Sequence, residues 1–99
     1  MSNSSEFINA TEVIKQYNSY LTITDFQQLY GYYKQAVVGD INIEKPSFFN
    51  FKECKKWESW NDCKGMTKYD AEIKYILYVN EILSRQPPLQ PQLQPRLYL

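Results

Sequence analysis

The chain of 99 residues suits one domain with a modest core, and its eleven basic and eleven acidic residues cancel. That balance leaves no global field to attract nucleic acid, so a polyanionic ligand would need a local lysine cluster. Histidine is absent from the sequence, which removes the commonest general base, the Ser–His and Cys–His nucleophile pairs and the commonest metal ligand.

The N-terminal MSNSSEF lacks a basic-plus-apolar signal, and no apolar run reaches bilayer-spanning length. A soluble, cytoplasmic protein is the expectation. The first predicted helix, residues 5–17, puts Phe7, Ala10, Ile14 and Tyr17 on one face, with Ser4 or Ser5 as N-cap. The second starts after Thr22, where Thr22 and Asp25 form a capping-box pair, and runs to Val38 because Gly39 can close it in a left-handed conformation. Leu29 and Ala36 face its core side. Residues 40–51 show no strong period, yet Ile41, Phe48, Phe49 and Phe51 are too apolar for a free linker, so an ordered, packed connection is expected.

A third helix over 52–64 carries Trp57, Trp60 and Cys63 at near-helical spacing and ends at Gly65. Both tryptophans read as core residues, with Trp57 the better placed to border a site because Lys56 precedes it. Cys54 and Cys63 lie nine residues apart, about two and a half helical turns, too far for a disulfide on one helix. They read as reduced, partly buried thiols, and neither has an activating histidine. Asp40 reads as a turn residue. The fourth helix opens with a second capping pair, Thr67 and Asp70, and continues to Arg85 with a wide apolar arc that calls for packing on more than one side. Residues 86–99, QPPLQPQLQPRLYL, hold four of the five prolines and read as a disordered Pro/Gln-rich tail. The expected architecture is an all-α bundle of four helices over 5–85.

Nine tyrosines and two tryptophans point to a large aromatic core or a stacking site. On the second helix Tyr30, Tyr33 and Lys34 fall within an arc of roughly 100°, bordered by Phe26, with Tyr32 on the opposite side. These residues can simply rim the core, hydroxyls in water and Lys34 solvated beside them. FKECKKW adds Lys52, Lys55 and Lys56 ahead of Trp57, and such a run is commonly a solvated face. Opposed to one another, the two features suit a ligand with a flat aromatic base and several phosphates.

YGYYKQAVVGDINIEKP followed by KWESWNDCKGMTKYDA resembles the acyl-CoA-binding protein family. Its signature is a Y-x-x-Y-K-Q-A-x-x-G-D run and a K-W-x-x-W-N-x-x-K-G run, and the likeness spans about residues 7–83. The resemblance implies an up-down-down-up four-helix bundle with a long connection between helices two and three. It assigns Tyr30, Lys34 and Lys56 to the 3′-phosphate of coenzyme A, Tyr33 to adenine stacking, and Tyr75 and Lys15 to the ligand site. Ile14, Phe26 and Gln27 are its candidates for the acyl groove. Gln27 stands where the family usually has an apolar residue and Phe26 where it often has methionine, so chain-length preference is expected to differ.

The function so implied is a carrier that sequesters medium- to long-chain fatty acyl-CoA esters and delivers them for lipid metabolism. Such a carrier is monomeric, lacks catalytic residues, cofactor and metal, and meets acyl-CoA-using enzymes or membranes transiently, with no nucleic acid partner. A different reading is a helical scaffold that recruits partners through the Pro/Gln-rich tail.

Overall fold

Four amphipathic segments become four α-helices in the computed structural model, which describes residues 3–85. They are α1 (Ser5–Lys15), α2 (Ile23–Val37), α3 (Phe51–Asn61) and α4 (Lys68–Arg85), with a short 3₁₀ turn at Asn18–Tyr20. No strand occurs among the described residues. The expected tail, 86–99, lies outside them.

Local chemistry sets most helix ends. Ser4 Oγ accepts from the Phe7 N–H at 3.1 Å and starts α1. The helix stops two residues before Tyr17 because the Gln16 and Tyr17 N–H groups tighten onto the Val13 and Ile14 carbonyls. At α2 both halves of the capping box form at 3.0 Å, Asp25 N–H to Thr22 Oγ1 and Thr22 N–H to Asp25 Oδ2. Gly39, with φ +98°, ends α2 and donates to the Lys34 and Gln35 carbonyls. Helix α3 ends at Asn61, sooner than expected, and again tightens through Cys63 and Lys64 N–H groups bonded three residues back. Thr67 Oγ1 accepts from the Asp70 N–H at 3.0 Å and caps α4.

Side-chain contacts give the directions. Asn3 Nδ2 and the Ser4 N–H donate to Glu72 and Phe7 meets Tyr75, so α1 and α4 run the same way. Asp25 reaches Tyr78 and Arg85 while Gln35 reaches Met66, so α2 opposes α4. Lys56 meets Tyr30 and Trp60 meets Lys34, so α3 parallels α2. The order is up-down-down-up, as the resemblance implied.

The core holds Phe7, Ala10 and Ile14 of α1, Leu29 and Ala36 of α2, and Ala71, Tyr75, Val79 and Ile82 of α4. Tyr17 packs at its edge. Helix α4 thus buries itself against both α1 and α2, the two-sided packing expected of its wide arc. Helix α3 leans on the other side of α2, and Gly31 sets the distance. A Cβ there would overlap Ser59 O and fall 2.8 Å from its carbonyl carbon, so only glycine lets the two helices come this close.

The Gly-Asp that closes α2 is a joint as well as a stop. Trp60 Nε1–H donates to Gly39 O at 2.7 Å and ties α3 to the end of α2. Asp40 Oδ1 accepts from Gln35 Nε2 at 2.9 Å and from the Gly65 N–H at 2.8 Å, while Gln35 Nε2 also donates to Met66 O at 2.7 Å. Asp40 is therefore more than the turn residue expected. It joins the end of α2 to the approach to α4, and the Gly65 and Gln35 donors hold its carboxyl below the usual range.

The connection from 40 to 50 is ordered by other contacts than those expected. Trp57 Nε1–H donates to Ile43 O at 2.8 Å, and the Cys54 thiol donates to Pro46 and Ser47 carbonyls at 3.2 and 3.1 Å. Phe48 and Phe49 instead stand in solvent, because the turn that Ser47 and Asn50 close points them away from the bundle, and Phe51, in the first turn of α3, is also largely exposed. Both cysteines are buried free thiols, and burial pushes Cys63 up.

Candidate functional site

Two grooves lie side by side on α2. The first, about 450 Å³, runs between α1, α2 and α4 and is lined by Lys15, Ile14, Leu29, Tyr33 and Tyr75 among others. The second, about 480 Å³, runs between α2 and α3 and is lined by Ile23, Phe26, Gln27, Phe51, Lys52, Lys55 and Lys56. Phe26 and Tyr30 line both and form the partition. Each volume falls in the range of small-molecule sites.

The first groove is largely aromatic. Tyr33 is 41% exposed, and its ring stacks on Phe7 at 6.0 Å between centroids and lies 6.4 Å from Tyr75. Phe7 and Tyr75 pack edge to face at 5.0 Å. A phenol supported from behind with one face toward water is a ready stacking platform. Tyr75 is buried, and that burial, with the neighbouring Tyr33, pushes its phenol up to about 12, so it is neutral at any ordinary pH. Lys15 stands exposed at the rim, 3.3 Å from Glu12.

The second groove is apolar with an ammonium margin. Lys56 Nζ lies 5.0 Å from the Tyr30 ring centroid and 3.5 Å from Glu53. Lys55 pairs with Glu58 at 3.4 Å. Gln27 adds its amide to a wall otherwise made by Ile23, Phe26 and Phe51.

The residues singled out from the sequence do not form one cluster. Lys15, Ile14, Tyr33 and Tyr75 belong to the first groove, and Gln27 and Lys56 to the second, with Tyr30 and Phe26 shared. Ile14, grouped with Phe26 and Gln27 for an acyl groove, is separated from Gln27 by the partition, because α1 packs on the α4 side of α2. Lys34 lines neither groove, and its ammonium sits 4.8 Å above the buried Trp60 ring. Trp57, read as a core residue and as the better placed of the two tryptophans to border a site, is only half-buried and lines neither groove. Its indole turns to Ile43 and lies under Lys45, at 5.9 Å.

Sequence reasoning missed Phe7 as the brace of Tyr33, and Ile23 and Phe51 as groove walls. Phe7 was legible only as a core residue. Ile23 and Phe51 each sit in the first turn of a helix, where periodicity is weakest. The groups facing the grooves are phenols, ammoniums and hydrocarbon surfaces, with the Gln27 amide in the second groove and the polar side chains of Thr11, Glu12 and Asn18 in the first. They can stack a flat base, neutralise anionic groups and cover an apolar chain.

The family profile described as Acyl CoA binding protein matches residues 4–79. The chain is 52% identical over 58 residues to Acyl-CoA-binding protein 2 of Saccharomyces pastorianus, a stretch covering 59% of this chain and 67% of that protein. It is 35% identical over 85 residues to a putative acyl-CoA-binding protein from a Hypsibius species, covering 86% of this chain and 96% of that one. The crystal structure of Oryza sativa Acyl-CoA-Binding Protein 2 is similar, with a TM-score of 0.77 at 35% identity over 81% of this chain and 89% of that one. ACBP from Moniliophthora perniciosa superposes with a TM-score of 0.76 at 30% identity, covering 85% and 83%. With a profile match along most of its length and four helices in the same arrangement, the chain belongs to the acyl-CoA-binding protein family.

Proposed function

We propose that the protein is a non-enzymatic, cytoplasmic and monomeric carrier of medium- to long-chain fatty acyl-CoA thioesters, which it sequesters and delivers to acyl-CoA-using enzymes or membranes. The observation that carries this reading is the pair of grooves sharing the Phe26–Tyr30 partition, one rich in phenols and the other apolar with a lysine margin. On this reading adenine stacks on Tyr33. The 3′-phosphate is bound by Tyr30 and Lys56, which lie together between α2 and α3, and by Lys34, one turn further along α2 with its ammonium over Trp60, while Lys15 and Tyr75 complete the nucleotide end. The acyl chain runs along Phe26 and Gln27. The binding domain is then 5–85, with 86–99 dispensable for it.

The energetics require both ends. A buried methylene contributes about 0.8 kcal/mol, and nanomolar affinity needs roughly 12 kcal/mol net of the costs of association. A sixteen-carbon chain offers at most about 11 kcal/mol gross, so the nucleotide end must add to it. Charge-assisted hydrogen bonds and one base stack, each about 1–3 kcal/mol, are of the right size. Calorimetry provides the test. Palmitoyl-CoA should bind far more tightly than free CoA or palmitate, and its dephospho analogue more weakly by about 2–5 kcal/mol. Equal affinity for palmitate and palmitoyl-CoA would overturn the reading.

A further inference from the structure

At one end of the molecule, where the α2–α3 connection meets the first turns of α2 and α3, large apolar side chains stand in water. Phe48, Phe49 and Phe51 are 78%, 86% and 68% exposed, and Ile23 is 77% exposed. Phe48 and Phe49 stack with centroids 4.3 Å apart and present one paired surface. The backbone under them is held firmly. The Cys54 thiol binds the Pro46 and Ser47 carbonyls, the Asn50 N–H donates to Ser47 O at 2.8 Å, and the Phe49 N–H donates to Ser47 Oγ at 3.3 Å. The turn therefore fixes the rings outside the core.

We propose that this end of the protein docks on the interface of a phospholipid bilayer, with Phe48 and Phe49 entering the headgroup region and the neighbouring lysines turned to lipid phosphates. Two observations favour lipid as the occupant. Lysines border the patch on its Phe51 side: Lys52 follows Phe51 directly, and Lys55 Nζ lies 5.3 Å from the Phe51 ring. Aromatic rings bordered by long cationic side chains suit a boundary that is apolar on one side and anionic on the other. The patch is also continuous with the apolar groove, because Phe51 and Ile23 belong to both. A groove shaped for an acyl chain thus opens on the face that would touch the membrane, and a chain could pass between them without crossing water.

The purpose of the docking rests on the proposed acyl-CoA binding, but the docking itself needs no ligand. Glu53 and Glu58 pair with Lys56, Lys45 and Lys55, while Lys52 has no ion pair among the described residues. Charge attraction is therefore modest, ring insertion dominates, and the docking is reversible.

The test is co-sedimentation of the ligand-free protein with phosphatidylcholine vesicles, with and without phosphatidylserine. Wild type should bind both, the anionic ones better. Phe48→Ser combined with Phe49→Ser should weaken partitioning by at least about tenfold, whereas Leu77→Ser, an exposed apolar residue on α4, should leave it unchanged. Palmitoyl-CoA affinity in vesicle-free buffer should be the same for all three proteins. Equal vesicle binding by wild type and the double variant, or none by either, overturns the proposal. So does lipid-free dimerisation that the double variant abolishes, which would assign the patch to a second copy. Vesicle binding without palmitoyl-CoA affinity would sink the carrier reading and leave the docking standing.

Discussion

Lys34 and Lys56 look equivalent in the sequence, but their surroundings separate them. The half-buried Lys34 rests its ammonium on a buried indole, a cation–π contact worth about 0.5–2 kcal/mol. Lys56 meets a half-buried phenol and a glutamate at the surface, where such pairs contribute little. Lys34→Met should therefore lower both palmitoyl-CoA affinity and unfolding free energy. Lys56→Met should lower affinity by about 1.5–3 kcal/mol and leave stability within about 0.5 kcal/mol. Calorimetry paired with urea unfolding checks both variants. Gln35 is a residue of a different kind, remote from ligand chemistry but almost fully buried. Gln35→Leu strips donors from Asp40 and Met66 O, and should destabilise the fold by about 1–3 kcal/mol in urea.

Between elements, the spacing of α2 and α3 is the controlling dimension, since the second groove lies in the cleft they form. Two effects oppose each other in Gly31→Ala. Alanine is a better helix former by about 1 kcal/mol. Its Cβ would, however, meet the Ser59 backbone, which cannot swing aside as a long side chain could. Overpacking of this kind costs about 1–3 kcal/mol, so displacement of α3 wins and the variant is less stable. It should also change the dependence of affinity on acyl-chain length, read from a series of acyl-CoA esters. A more stable variant with an unchanged series would mean that α3 moves freely.

Across the whole molecule, three carboxylates fasten the helix junctions. Burial raises the Asp25 carboxyl, but the combined donors from Thr22, Tyr78 and Arg85 outweigh it and hold it low. Glu72 shows the same balance, burial against donors from Asn3 and Ser4, and Asp40 is held low chiefly by the Gly65 N–H. All three lie below their ordinary values of 3.8 and 4.5. A depressed folded value means the unfolded chain takes up protons first. The stabilisation is therefore complete above those ordinary values and lost as pH falls through the folded ones. With no histidine, the melting temperature should be flat near neutrality and fall in acid. On the alkaline side burial holds the Cys63 thiol above its ordinary 9.0 and pushes Tyr75 and Tyr78 up to about 12 from 10.0. The unfolded thiol and phenols therefore ionise first, and stability falls from 9.0 upward. Thermal melts by circular dichroism across pH would show a plateau with two shoulders. A loss of stability between pH 6 and about 8 would contradict this, because no described group with a shifted value titrates there.

The number of helices, most of their ends and their buried faces were legible in the residues themselves. Ser4, the Thr22–Asp25 pair and Gly39 act within a turn or two of chain, and the helical period assigns Phe7, Ala10, Ile14, Leu29 and Ala36 to the core without reference to any partner. The aromatic and lysine residues of the candidate site were legible as types at a spacing. Their division was not. Two grooves sharing Phe26 and Tyr30, Lys34 turned to Trp60, and Phe7 bracing Tyr33 depend on how closely and in which direction helices approach one another. The exposed Phe48 and Phe49 show the same limit from the other side. Hydrophobicity predicts that a ring gains by burial, but only the tertiary structure decides whether any surface lies within its reach, and the turn closed by Ser47 and Asn50 points these two away from all of it.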